Sequence, residues 1–164
     1  MGLLIINSDD FGYSAGINYA IRDAHLNGVL TSATLMANMP GFAQAVAMAA
    51  EMPHLGIGVH LTLTCGGPVL PDVPSLTADD GTFKRLSFYE AADFEVDPDD
   101  LYREWRAQIE KVIASGIQPD HLDSHHHVHT LGGNVAVFER LAAEYALPIR
   151  GNYAFAPALT STAR

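Results

Sequence analysis

The sequence holds one cysteine, Cys65, so no intrachain disulfide framework can support it. A single thiol suits a reducing compartment, and Cys65 itself reads as a small hydrophobe at a strand end. Positive charge is scarce too: nine Lys and Arg face nineteen Asp and Glu, for a formal net charge of −10. No basic patch is present to neutralise phosphates, which argues against nucleic acid and against anionic membrane surfaces as partners. No apolar run approaches the roughly 20 residues of a membrane span. The stretch Met1 to Asn7 is too short for a signal peptide and lacks its charged start. These absences lead us to expect a cytoplasmic protein. With 164 residues, 48% of them hydrophobic, the chain has one domain's worth of length and enough apolar matter for a core.

The patterning that is present alternates. Leu3 to Asn7 is a continuous apolar run, as in a strand buried on both faces. Ser14 is placed to cap a helix running to about Asn27, with Ile17, Ala20, Ile21 and Ala24 as its apolar face. A strand over Ser32 to Met36 and a helix over Phe42 to Met52 follow. From Gly56 to Thr64 apolar and polar residues alternate, predicting a third strand with His60 on its polar face. Between Cys65 and Asp97 the pattern breaks into proline and Asp-Gly turn chemistry, a long insertion loop of the kind that tends to be functional. Asp79-Asp80-Gly81-Thr82 is suited to closing a small hairpin within it.

Asp97 then caps a helix with Pro98 at its first position and Leu101, Trp105, Ile109, Val112 and Ile113 as its buried stripe. A strand at His121 to Ser124, a helix at Asn134 to Ala146 and a fifth strand opening at Leu147 to Arg150 complete the order. Residues Ala154 to Arg164 carry neither signature. Such alternation predicts an α/β fold with a parallel sheet, either doubly wound or barrel-like, and places chemistry at the C-terminal strand ends.

The most unusual stretch is His121-Leu122-Asp123-Ser124-His125-His126-His127-Val128-His129, which carries five of the eight histidines. It is internal and bracketed by apolar elements, unlike a tag. Parallel topology would bring it to one rim with the Asp9-Asp10 pair and with His60. One carboxylate and two imidazoles on that rim make a three-ligand divalent site with open positions. The other carboxylate of the Asp9-Asp10 pair, expected to point elsewhere because neighbours on a strand diverge, is free to act as a base. Asp123 is suited to orienting a histidine from behind.

Three stretches carry a family resemblance: Asn7-Ser8-Asp9-Asp10-Phe11-Gly12, Gly58-Val59-His60-Leu61-Thr62-Leu63-Thr64, and the histidine run itself. Their order and spacing resemble those of the YdjC-like carbohydrate deacetylases, the group that includes chitooligosaccharide and hopanoid-associated deacetylases, over Leu3 to about Arg150. Ser8 stands where the family commonly has alanine. The resemblance implies a deformed (β/α) barrel and hydrolytic removal of acetyl from an N-acetylated mono- or oligosaccharide. It also implies a metal held by Asp10, His60 and His125, with Asp9 as the base. The family points to magnesium, whereas a ligand set of two imidazoles and one carboxylate suits zinc or another transition metal. Within this chain His127 or His129 is placed to protonate the leaving amine, and Arg150 to touch substrate or base.

Five strands fall short of a closed barrel of ~200 residues or more. The expectation is therefore an incomplete (β/α) barrel, the N-terminal portion of a deacetylase domain, that associates as a homo-oligomer through its open edge. Two other classes fit parts of the pattern. One is a non-catalytic metal- or sugar-binding module. The other is a different metallohydrolase such as a phosphoesterase, against which stand the acidic charge and the lack of a Gly-rich phosphate loop.

Overall fold

Four short parallel strands in sequence order, β1-β2-β3-β4, form the sheet of the computed structural model, which describes residues 4–151. The strands are β1 (Asn7–Phe11), β2 (Ser32–Leu35), β3 (Gly56–Leu61) and β4 (Leu122–Ser124). Helices α1 (Ala15–Leu26) and α2 (Phe42–Ala49) link the first three. A long excursion containing the single-turn α3 (Leu86–Tyr89) and then α4 (Pro98–Ala114) leads to β4, and α5 (Asn134–Glu144) follows. This is the parallel α/β class expected from the alternation, with four strands in sequence order, as in a (β/α) barrel, that do not close a ring among the described residues. The fifth strand is reduced to one parallel bridge, Leu122 to Ile149, flanked by hydrogen bonds from Leu122 N to Pro148 O and from Arg150 N to Leu122 O. Ala154 to Arg164 lie outside the described residues.

The first strand starts later than its apolar run suggests. Leu4 and Ile5 are 77% and 75% exposed, and pairing with β2 begins at Asn7 against Ser32. Leu4 and Ile5 thus precede the paired segment, and among the described residues β1 pairs only with β2. Asp9 and Asp10 thus lie inside the strand. Ser8 pairs with Ala33 and Phe11 with Leu35, so three steps on β1 oppose two on β2. The extra residue is a β-bulge, with Asp10 in the left-handed region at φ 69°.

Helix α1 is turned relative to its expected face. Ile21 is buried, but Ala20, Ala24 and Ile17 are exposed, and the second buried position is Asn18. Its side chain accepts from Gly12 N at 2.7 Å and donates to Gly41 O and Gln44 Oε1, both at 2.9 Å. That clamp holds the chain leaving the bulge. Gly12 itself sits at φ +89°, where an added Cβ would lie 3.0 Å from Met36 O, so this turn has room only for glycine.

Helix α4 buries Leu101, Trp105, Ile109 and Val112, four of its five expected stripe residues, with Ile113 half-buried. Beside them runs a buried polar row, Asp100, Glu104 and Gln108, spaced four residues apart. This row anchors the long insertion. Glu104 accepts from the backbone N–H groups of Val69 and Leu70, and Asp100 from that of Ser75. Gln108 accepts from Thr62 N and donates to Thr62 O. The glutamine takes the hydrogen bonds a neighbouring strand would make, and β3 ends at Leu61 rather than at Thr64. The expected hairpin is present as the antiparallel bridge Thr77 to Phe83, turning through Gly81.

Candidate metal centre

The bulge decides where the paired aspartates go. In a regular strand Asp9 and Asp10 would face apart; with one residue inserted, both carboxylates border the same histidine. Asp10 Oδ1 lies 2.9 Å from His125 Nδ1 and 3.3 Å from His60 Nε2. Asp9, His60 and Asp123 form a second group whose donor atoms lie within 4.8 Å of one another.

His60 reaches this point from β3 with 1% of its side chain exposed. Its Nδ1 is 2.6 Å from Asp123 Oδ1, across the β3–β4 register in which the two residues are partners. A carboxylate can only accept, so Nδ1 carries the proton and Nε2 is turned toward Asp10. Thr34 on β2 donates to the other Asp123 oxygen at 3.2 Å. A carboxylate behind an imidazole in this way fixes the ring for a ligand in front of it. Burial alone would lower the His60 pKa, but the adjacent carboxylates of Asp10 and Asp123 raise it to about 9. The imidazoles of His125 and His60 hold Asp10 far below the usual carboxylate range. Asp123 is lowered as well: burial opposes ionisation, and the His60 and Arg150 contacts overcome it.

His125 comes from the end of β4, where the chain stops being a strand. Residues His125–Thr130 form a short 3-10 segment with His126 and His127 left-handed, at φ 56° and 54°. Consecutive left-handed residues other than glycine are costly and tend to mark functional sites. At the start of this turn His125 meets Asp10 of β1, and the His126 ring lies against it at 3.9 Å between centroids. His126 Nδ1 is in turn 2.9 Å from Thr64 Oγ1.

One carboxylate oxygen and two imidazole nitrogens therefore converge within 4.8 Å of one another. Bonds of 2.0–2.2 Å to a common ion place ligand atoms roughly 3–3.6 Å apart, so only a small adjustment separates the observed spacings from a ligand shell. Asp10 Oδ1 is buried and accepts no well-aligned hydrogen bond; both nitrogens approach it off the N–H direction. An oxygen left so, faced by two imidazoles, fits a divalent cation.

The remaining expected residues divide. Arg150, held beside Asp123 by its backbone bond to Leu122, places Nη1 at 2.7 and 2.9 Å from the Asp9 oxygens and 3.0 Å from Asp123 Oδ2. It is thus engaged by two carboxylates. Asn7 Nδ2 adds a third bond to Asp9, at 2.9 Å. His127 is half-buried with an unpaired Nδ1. His129 corrects the expectation of a proton donor. It is fully buried, stacks on Phe138 at 4.4 Å, and turns Nδ1 to Ser124 Oγ. Burial lowers its pKa to about 4, so the ring is neutral near pH 7 and offers no imidazolium proton. Thr34, Asn7 and His126 were not anticipated. Thr34 was accessible from the alternation Ser32-Ala33-Thr34-Leu35, which puts it on the polar face; the other two depend on the bulge and the left-handed turn.

The sequence matches the model of the family described as "YdjC-like protein" over residues 3–163. It is 49% identical over 152 residues to a carbohydrate deacetylase of Brevibacillus brevis, covering 93% of this chain and 60% of that protein. It is 41% identical over 149 residues to a chitooligosaccharide deacetylase of Proteus mirabilis, covering 90% and 58%. A crystal structure from Enterococcus faecalis V583, described as a cellobiose-phosphate cleavage protein, superposes with a TM-score of 0.84 at 43% identity, over 90% of this chain and 57% of the other. The chain spans about three fifths of the length of the curated relatives it matches.

The buried His129 generates a pH prediction. Its folded pKa is depressed, so the unfolded chain takes up a proton as pH falls below about 6.5 while the folded chain does not until about 4. The stability this group contributes is fully present above pH 6.5 and is lost on acidification. Urea unfolding at pH 7.5 and 4.5, in chelator, should show a loss about 2–3 kcal/mol smaller in His129→Asn than in the parent. Equal losses in the two proteins would contradict the buried, neutral assignment.

Proposed function

We propose that this chain, which belongs to the YdjC-like protein family, is a metal-dependent hydrolase that removes acetyl groups from N-acetylated sugars of the chitooligosaccharide type. The convergence of Asp10, His60 and His125, with Asp9 alongside, carries this reading. Carbohydrate and chitooligosaccharide deacetylases among the relatives support the chemistry and the substrate class. Asp10, His60 and His125 would hold a divalent ion. Magnesium is the family expectation, but paired imidazoles favour zinc or another transition metal with an affinity for nitrogen ligands.

Bound there, such an ion supplies Lewis acidity toward the acetamide carbonyl and positive charge where the oxyanion develops. The chain's own groups do the rest. Asp9, held by Asn7 and Arg150, takes the proton of the attacking water. Asp123 and Thr34 keep the His60 ring in register. Of the two imidazoles considered for the departing amine, only His127 retains a partly exposed ring, and it is the donor we retain. The segment Val69-Leu70, tied to buried Glu104, makes the insertion a fixed wall near the C-terminal strand ends.

A homo-oligomer is part of the same reading. Every exposed large hydrophobic residue among those described lies between Leu4 and Val29, on the approach to β1 and along or beside α1, and among the described residues β1 has an unpaired edge. An uncovered edge and apolar flank favour association. Among the described residues, no helix is long and apolar enough to cross a membrane.

Two measurements test these proposals. Incubated with N,N′-diacetylchitobiose and a divalent ion, the protein should release acetate. Asp9→Asn should keep its ion and lose turnover roughly a hundredfold or more, whereas Asp10→Ala should lose the ion itself. No acetate from any N-acetylated sugar, or equal ion loss in both variants, would overturn the assignment. Sedimentation equilibrium over a dilution series should show reversible self-association; a monomer at all concentrations would remove the oligomer from the account.

A further inference from the structure

Two groups of side chains among the described residues have the geometry to hold a cation, and they share His60. The first, Asp10, His60 and His125, is the candidate metal centre. The second, Asp9, His60 and Asp123, is already occupied by a cation of the protein's own. A single guanidinium nitrogen, Arg150 Nη1, lies 2.7 and 2.9 Å from the Asp9 oxygens and 3.0 Å from Asp123 Oδ2. Those are charge-assisted hydrogen-bond distances. The arginine is fixed from its backbone, because Arg150 N donates to Leu122 O in the parallel bridge that places it next to Asp123. We propose that Arg150 stands in for a second metal ion, restricting the centre to one ion and keeping Asp9 out of coordination. This rests on reading Asp10, His60 and His125 as the ligands of the first ion.

Charge argues the same way. Asp9, Asp10 and Asp123 bring three negative charges within reach of His60, and Asp123 is fully buried. One divalent ion and one guanidinium cancel them. Without the guanidinium, Asp9 and Asp123 become a pair of neighbouring carboxylates with no cation between them, an oxygen-rich arrangement that attracts a hard divalent cation. His60 cannot serve both ions, since its Nδ1 proton is committed to Asp123. A second ion would therefore take Asp9 as a principal ligand, and a coordinated carboxylate is no longer a free base. Arg150 thus acts through Asp9 as a positioning residue, holding it by hydrogen bonds that leave its carboxylate uncoordinated.

The number of bound ions is the direct readout, independent of turnover. Mn2+ serves as the probe, with free ion counted by electron paramagnetic resonance and total ion by elemental analysis after equilibrium dialysis. The protein should bind one Mn2+; Arg150→Ala and Arg150→Gln should bind a second, weaker one; Arg150→Lys, which retains a cation, should bind one. Adding Asp9→Asn to Arg150→Ala should return the count to one. Two neutral variants guard against one that fails to fold, which circular dichroism identifies. One Mn2+ in folded Arg150→Ala and Arg150→Gln, at the affinity of the parent, would overturn the inference and leave the first site standing. No Mn2+ in the parent would overturn the metal centre and the inference with it.

Discussion

A single inserted residue in β1 sets up the rest of the centre. Were β1 a regular strand, Asp9 and Asp10 would project to opposite faces and only one could meet His60. With the bulge, Asp10 turns through a left-handed conformation at φ 69° and both carboxylates border one ring. Aspartate tolerates that conformation better than most residues, yet the position remains strained. The strain is supported from outside the strand: Asn18 clamps Gly12 just beyond the bulge, and Gly12 is itself left-handed. A buried asparagine on the inward face of α1 is what the bulge requires, and it rotates that helix away from its most apolar face.

The sheet supplies the second half of the arrangement through register. His60 and Asp123 are direct partners across β3 and β4, and Thr34 lies on the strand before them. A buried acid, a buried imidazole and a hydroxyl would each be unfavourable alone. Placed in register they satisfy one another, and what is left over points outward: His60 Nε2, Asp10 Oδ1 and the His125 ring. The guanidinium of Arg150 closes the opposite side. On the reading proposed above, charge and hydrogen bonding leave one opening for a divalent ion, with Asp9 held as a neighbour to it.

The alternation of apolar strands and helices was enough to give the parallel α/β order, and four of the five residues of the α4 stripe were readable from their spacing. The three polar stretches were legible as one rim because parallel strands bring their C-terminal ends together. Departures from regularity were not legible. The bulge, the left-handed His126-His127 turn and the rotation of α1 about Asn18 arise from tertiary contacts that override local pattern. For the same reason the Leu3 to Asn7 run suggested a strand four residues early: its apolar character suits covered faces, but Leu4 and Ile5 have none among the described residues. Arg150 was legible as a residue that touches the base, and it does lie against Asp9; its second contact, to Asp123, has no signal in one dimension. His129 looked like a reactive imidazole by its company in the run, whereas the 3-10 turn sends it into the core against Phe138.

The central claim is that Asp10, His60 and His125 are ligands of one ion. Pulsed electron paramagnetic resonance of the Mn2+-loaded protein reads the first coordination sphere directly, because imidazole nitrogen bound to manganese gives a distinct hyperfine coupling. The account predicts couplings from two inequivalent imidazole nitrogens, one of which disappears in His125→Ala. A spectrum with no coordinated nitrogen, or one left unchanged by that substitution, would contradict it.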